Sequence, residues 1–328
     1  MNVVTMKAAA VTGYGNHEVL QVQEFERPKP QAHEILVQVK ATPVTTADAM
    51  MRSGNPFFAR FFLGLSKPKN IIPGTGFAGI VVELGDAVQR FQIGDAVFGE
   101  TAMGFRANAE FVCLPEDGIV IKKPNSLSFA EAATACDGLV TSLNFIQNLA
   151  HLQAGQKILI NGASGSLGTA AVQIAKQVGA HVTGVCSTRN IELVQSLGAD
   201  QVIDYTTTDF TRTGERYDVI YDTIGKSSFS KSKRALKSNG IYMSPVLKLP
   251  LLFQMLWSSN FGKKKAKFSA TGLLPKEAFL PLLNQIKEGF TKGQLKAVID
   301  KSYPLEAIRE AHQYIDTGRK RGNVVLVP

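Results

Sequence analysis

The residues whose types and spacing most plainly serve chemistry are Asn161-Gly162-Ala163-Ser164-Gly165-Ser166-Leu167-Gly168. They stand between the apolar run Ile158-Leu159-Ile160 and a stretch that places Leu167, Ala171, Ile174, Ala175 and Val178 on one helical face. Glycines at 162, 165 and 168 make a relative of GxGxxG. A turn of that kind is tight, lets the backbone come close to a pyrophosphate, and aims a helix N-terminus at the charge. A merely flexible loop has no need of three glycines at three-residue spacing. An NAD enzyme places an acid ~20 residues further on, to hold the ribose 2′-hydroxyl. Here the chain reads Val185-Cys186-Ser187-Thr188-Arg189-Asn190, with no acid before Glu192. An acid would repel a 2′-phosphate, whereas Ser187 and Arg189 offer it hydrogen bonds and charge. The residues predict NADP.

Other chemistries find little support. Cys113, Cys136 and Cys186 are far apart, and His17, His33, His151, His181 and His312 are isolated, so four close zinc ligands are not expected. No GxSxG nucleophile elbow is present. Three dispersed cysteines fit free thiols in a reducing compartment.

The elements around the glycine turn follow from periodicity. Up to about Asn125 short β-branched runs such as Ile35–Val39, Gly79–Glu83 and Phe91–Gly99 alternate with Gly and Asp turns, as in a barrel-like β domain. Ser128 and Glu131 then form a capping box that opens an Ala-rich helix. From Gln156 strand and helix alternate through His181–Val185, Val202-Ile203, Val219–Tyr221 and Ile241–Met243, which predicts a parallel sheet with crossover helices. After Gly272 come a helix over Lys276–Glu288, a strand near Val298-Ile299, a helix from Glu306 and a strand over Val324–Val327.

The 328 residues suit two domains, and 45% hydrophobic against 19% charged residues supports a sizeable core. Lys and Arg exceed Asp and Glu by 36 to 27, a net charge of +9. The clusters Lys263-Lys264-Lys265 with Lys267, and Arg319-Lys320-Arg321, read as solvated loops, and no nucleic-acid partner is expected. The start of the chain lacks the charged and apolar regions of a signal peptide. Leu247–Trp257 is broken by Lys248 and Pro250 and is shorter than the ~20 residues of a membrane span. A cytoplasmic location is the default.

Together these residues resemble the zinc-free quinone oxidoreductase branch of the medium-chain dehydrogenase/reductase superfamily, over nearly the whole chain. The carrying segments are Gly15 with Glu18-Val19-Leu20, Thr45–Gly54, Pro73-Gly74-Thr75-Gly76-Phe77-Ala78-Gly79, and Gly94–Gly99. Leu197-Gly198-Ala199-Asp200, Ile203-Asp204-Tyr205 and Gly318…Gly322–Leu326 complete the set. The resemblance implies an α/β chain: a Rossmann doubly wound parallel sheet binding NADP over 126–272, plus a GroES-like β-barrel substrate domain over 1–125 and 273–328. Zinc-dependent relatives carry a Cys near Thr45-Thr46 and a His-Glu pair at Thr75-Gly76; neither is here, so no metal is expected. Carried over residue by residue, it assigns the diphosphate to Gly165, Ser166, Leu167 and Gly168. It assigns the 2′-phosphate to Ser187, Arg189, Asn190 and Tyr205. Thr141 is similar to a threonine near the nicotinamide, which Ile224-Gly225 and Ser244-Pro245-Val246 should line.

Thr45 replaces the family's Asn, and Met50-Met51 stand where relatives have Tyr or Lys, so no catalytic side chain is assigned. Asp48 reads as an orienting or structural residue ahead of a general acid. Leu247–Trp257 reads either as the wall of an apolar substrate pocket or as core or subunit contact. The activity implied is hydride transfer from NADPH to a small apolar electrophile, either a quinone or an α,β-unsaturated carbonyl compound. The alternatives are NADP-dependent alcohol/aldehyde oxidoreduction, or a non-catalytic NADPH-binding protein with a structural or RNA-binding role. The family habit implies a homodimer.

Overall fold

The computed structural model describes residues 4–55 and 57–328. Contacts divide the chain into two compact units, one taking the chain up to Asp137 with Pro275–Thr291 and Lys296–Pro328, the other Gly138–Leu274 with Lys292–Leu295.

The first unit opens with the antiparallel pair β1 (Thr5–Val11) and β2 (Leu20–Glu26), followed by the long β3 (Glu34–Val44). Next come α1 (Thr46–Ser53), α2 (Arg60–Leu63), β4 (Gly76–Leu84), β5 (Ala96–Glu100), β6 (Phe111–Pro115), β7 (Ile119–Lys122) and α3 (Phe129–Ala133). β3 is the hub, pairing antiparallel with β4, β6 and, through Val44↔Val324, the last strand of the chain. Such a hub must be apolar on both sides, and Ile35, Leu36 and Val37 are fully buried. Ile35, Val37, Val39, Phe77, Val81 and Val97 share one core cluster. Ser128 caps α3 in a capping box with Glu131.

The second unit starts with α4 (Val140–Leu143), then β8 (Lys157–Asn161), α5 (Ser166–Gln177), β9 (His181–Cys186), α6 (Ile191–Ser196) and β10 (Gln201–Asp204). It continues with β11 (Tyr217–Asp222), α7 (Phe229–Ser232), β12 (Leu236–Met243), α8 (Leu249–Phe261) and β13 (Lys265–Lys267). All six strands are parallel, in the order β10-β9-β8-β11-β12-β13. Relabelled from its first strand this is 3-2-1-4-5-6, the doubly wound order whose switch point lies between β8 and β11. The central strands are apolar on both faces because helices cover both, and Ile158, Leu159, Ile160 and Ile220 are fully buried.

The chain then returns to the first unit with α9 (Lys276–Thr291), β14 (Ile299–Pro304), α10 (Ile308–Asp316) and β15 (Asn323–Val327). Arg52, near the end of α1, donates to both carboxylate oxygens of Asp316 at 2.8 and 2.9 Å and to Gly15 O at 3.3 Å. The Arg-x-Gly segment is therefore a clamp between α1 and α10, with Gly54 ending α1 in the left-handed region at φ 64°. Beneath it His312 is fully buried, with no hydrogen-bond partner on either ring nitrogen. Burial, helped by the Arg52 guanidinium, pushes its pKa down to about 3.

A histidine held neutral in the fold but free to protonate when unfolded costs stability as pH falls below its ordinary value near 6.5. Denaturant titrations should show a loss approaching ~1.4 kcal/mol per pH unit from this residue between about pH 6 and 4. The wild-type minus His312→Leu difference should carry that slope; a flat difference would refute the assignment.

Candidate functional site

The carboxyl ends of five neighbouring parallel strands gather nearly all the positions singled out above. The glycine turn follows β8, Ser187–Asn190 follow β9, Tyr205 follows β10, Thr223–Gly225 follow β11 and Ser244–Val246 follow β12. Open parallel sheets bind ligands at this edge, at the switch point. Thr141 joins from α4, whose neighbouring Ser142 hydroxyl donates to Leu167 O at 2.8 Å and so ties that helix to the turn.

Within the turn, Gly162 adopts φ 83°, and a Cβ there would lie 2.7 Å from both Thr223 Oγ1 and Ile224 Cγ2. Gly168 lies so close to the turn backbone that a Cβ would stand 2.1 Å from Gly162 O. The amides of Gly162 and Ala163 both donate to Val185 O at 3.0 Å, and Thr223 Oγ1 donates to Asn161 O at 2.8 Å, which pins the turn across three strands. The N-cap of α5 is Gly165, so no side chain caps the first turn. Helix start, close backbone and missing cap together form an anion cradle.

At the end of β9, Ser187 is half-buried and Thr188 and Arg189 are exposed, whereas Asn190 is buried. The Asn190 carboxamide donates to Ser164 Oγ at 2.9 Å and Ser187 Oγ at 3.3 Å, so it links the glycine turn to the second strand end. Tyr205 is exposed, and its amide donates to Cys186 O at 3.0 Å. One feature there is missed by a reading along the chain: β10 ends on Asp204, in register with Cys186. Hydrogen bonds from the Thr188 and Thr206 hydroxyls hold its carboxyl below the usual carboxylate range. The strand end is acid-free in sequence but has an acid beside it in space, with its lone pairs taken up by Thr188 and Thr206.

A second missed feature lies under the turn. Asp222, fully buried at the end of β11, accepts from Asn161 Nδ2, Ser227 N and Tyr242 Oη, each at 2.8 Å. These bonds lock the ends of β8 and β11, which flank the switch point, to the end of β12 beside them. The sequence signal is a polar residue closing each buried apolar strand: Asn161 after Ile160, Asp222 after Tyr221. Further along, the Lys248 ammonium donates to Gly225 O, fixing the loop that precedes α8.

In the first unit, Thr45 caps α1. Its hydroxyl accepts from Asp48 N at 3.0 Å, and Asp48 Oδ2 accepts from Thr45 N and Oγ1 at 2.8 Å. The spacing Thr45-x-x-Asp48 is thus a capping box, and Thr fills the cap as Asn would. Burial pushes Asp48 up to about 6. Burial also pushes Glu100 up to about 8, with Asp137 and Asp48 adding repulsion. Among the described residues no three His, Cys, Asp or Glu side chains converge as metal ligands would.

Fold and strand-end loops together define a two-part dehydrogenase/reductase chain of the medium-chain type. Residues 31–125 match the alcohol dehydrogenase GroES-like domain, and residues 197–326 match the zinc-binding dehydrogenase family. The chain is 32% identical over 340 residues to the chloroplast envelope quinone oxidoreductase homolog of Arabidopsis thaliana, covering 98% of each. It is 28% identical to the chloroplastic NADPH-dependent alkenal/one oxidoreductase of the same plant, covering 98% of this chain and 80% of that one. Among solved structures, the quinone oxidoreductase from Coxiella burnetii superposes with a TM-score of 0.87 at 28% identity, over 99% of this chain and 100% of that one. The chain belongs to the quinone oxidoreductase branch of the medium-chain dehydrogenase/reductase superfamily.

The Asp222 network yields a direct test. Tyr242→Phe removes one of three donors from a buried carboxylate and should lower stability by about 1–3 kcal/mol in chemical denaturation. Equal stability would show that the tyrosine hydroxyl does not support Asp222.

Proposed function

We propose that this chain is an NADPH-dependent reductase that delivers hydride to a quinone or to the β-carbon of an α,β-unsaturated carbonyl compound. The observation that carries the reading is the uncapped glycine-led start of α5 beside a strand end bearing Ser187 and Arg189. The relatives whose names describe quinone and alkenal/one reduction support it, as does the NADPH in one of those names.

The cradle fits the cofactor. Backbone N–H groups of Gly165, Ser166, Leu167 and Gly168 would take the diphosphate, because only backbone can come that close at glycine positions. Ser187, Arg189 and Tyr205 would meet the 2′-phosphate, while buried Asn190 holds Ser164 and Ser187 in place. Thr141, Ile224, Ser244 and Val246 would border the nicotinamide. NADPH, when bound, supplies the hydride; the protein supplies orientation, dryness and hydrogen bonds. No side-chain proton donor is assigned, since an enolate or quinol can take its proton from water.

Residues 126–272 would serve as the cofactor domain, and 1–125 with 273–328 as the substrate domain, in keeping with the GroES-like match over 31–125. The substrate would be small, apolar and electrophilic. A homodimer is inferred from the resemblance alone. All three cysteines are free, which suits a reducing compartment such as the cytoplasm, and among the described residues no helix is long and apolar enough to cross a membrane.

Consumption of NADPH with panels of quinones and enones tests the reaction; no turnover with either class would overturn it. Arg189→Ala should weaken NADPH binding by roughly ten- to a hundredfold, as expected for losing a charged hydrogen bond, and leave NADH nearly unaffected. Equal losses for both cofactors would remove Arg189 from the 2′-phosphate site.

A further inference from the structure

Residues 57–72, between α1 and β4, form a strap tied to the rest of the first unit at several points. The Arg60 guanidinium donates to Gly54 O at 3.1 Å and to Ser53 O at 3.4 Å, and lies 4.3 Å from the centre of the Tyr14 ring. The Tyr14 hydroxyl donates to Gly64 O at 2.6 Å, and Val11 N donates to Ile71 O at 2.8 Å. Held in this way, the strap stands over α1 and leaves a cavity of about 60 Å³ beneath it. Every residue that lines this cavity belongs to the first unit, whereas the glycine turn belongs to the second.

The walls are apolar: Met51 of α1, Phe62 and Leu63 of α2, and Met103 and Phe105 from the loop after β5. That loop runs on a backbone that residues other than glycine rarely adopt, with φ 49° at Ala102, 54° at Phe105 and 69° at Arg106. Phe105 is buried, yet Phe62 and Met103 remain 74% and 53% exposed at the rim. Large apolar side chains around an apolar hollow gain burial when a ligand fills it.

The polar part of the lining gives that ligand its charge. Arg52 is buried, with Nε and Nη2 engaged by Gly15 O and the Asp316 carboxylate, while its Nη1 has no hydrogen-bond partner. A buried guanidinium N–H left without an acceptor is destabilising, and a carboxylate is the group that complements it. Lys69 also lines the cavity; it is exposed, and its ammonium makes no ion pair or hydrogen bond among the described residues. The acid in the lining, Asp48, already has Oδ2 engaged by Thr45 N and Oγ1. From Ala49 to Val82 the chain holds four Lys or Arg and no Asp or Glu, so the strap brings no competing acid.

We propose that this cavity binds a short aliphatic carboxylate, its chain against Met51, Phe62, Leu63 and Met103 and its carboxylate taken by Arg52 and Lys69. The volume is roughly twice the ~30 Å³ share of one water molecule, room for a chain of roughly two or three methylenes. Inorganic phosphate would leave the apolar walls unmet, and a neutral hydrocarbon would leave Arg52 Nη1 without an acceptor. Binding needs no turnover, so the inference stands or falls apart from the reductase reading.

Butyrate is the probe. Labelling the methionine methyl groups with carbon-13 puts reporters at Met51 and Met103, their resonances assigned with Met51→Leu and Met103→Leu. Butyrate should shift both resonances saturably in the millimolar range, whereas 1-butanol and butylamine, of equal chain length, should leave them in place. Lys69→Gln, at an exposed position, should weaken butyrate binding about threefold. Leu63→Trp, which fills the cavity, should abolish the shift at Met51 with an unchanged circular dichroism spectrum. Three results would overturn the proposal: methyl resonances that butyrate does not move, equal shifts with 1-butanol, or a Lys69→Gln titration that matches the wild type.

Discussion

Gly165 gives α5 no side-chain cap, and the glycine turn in front of it is tied to the ends of β8, β9 and β11. Gly165 cannot cap α5, and the turn before it is held rigid by bonds to Val185 O and Thr223 Oγ1 rather than closed over the helix end. Rigidity matters because an anion bound by amide dipoles gains little if the amides must first be ordered. The bonds that supply it come from three different strands, so the anion cradle is a property of the sheet and not of the loop alone.

Asp222 extends the same logic downward. A fully buried carboxylate is costly unless each oxygen is used, and here Asn161, Ser227 and Tyr242 use them. The strand ends they join, β8, β11 and β12, are those from which the glycine turn, Thr223–Gly225 and Ser244–Val246 depart. Desolvation of one acid thus becomes positional precision at three loops. Asp204 shows the opposite use of the same residue type: at the end of β10, in register with Cys186, its carboxyl accepts from the hydroxyls of Thr188 and Thr206.

Most of the second unit was legible in the chain because its signals are local. Apolar runs such as Ile158–Ile160 are buried strands, the glycine turn adjoins an amphipathic helix, and the 187–190 segment lies where a second strand ends. What escaped was everything that depends on strand order. Asp204 is 18 residues from Cys186 in sequence and its register partner in space; Asn161 and Asp222 are 61 apart and hydrogen-bonded. In the first unit Thr45 and Asp48 stood out by family resemblance, but their work, capping α1, is ordinary helix chemistry that the spacing Thr-x-x-Asp already contained. His312 looked isolated in the chain, and the structure makes it isolated in fact, sealed under the Arg52–Asp316 clamp.

α8 marks where patterning alone leaves alternatives open. Read for hydrophobicity, Leu247–Trp257 is a wall of a substrate pocket, core or a subunit contact, since apolar periodicity carries no sign for which face is inward. The sign comes from the small residue at Ser258, whose hydroxyl accepts from Ala266 N and lets the helix sit close on β13. With that side turned to the sheet, the larger side chains have only the outside left. An apolar stripe exposed by its own packing geometry, within a segment free of acids, marks a surface that something covers.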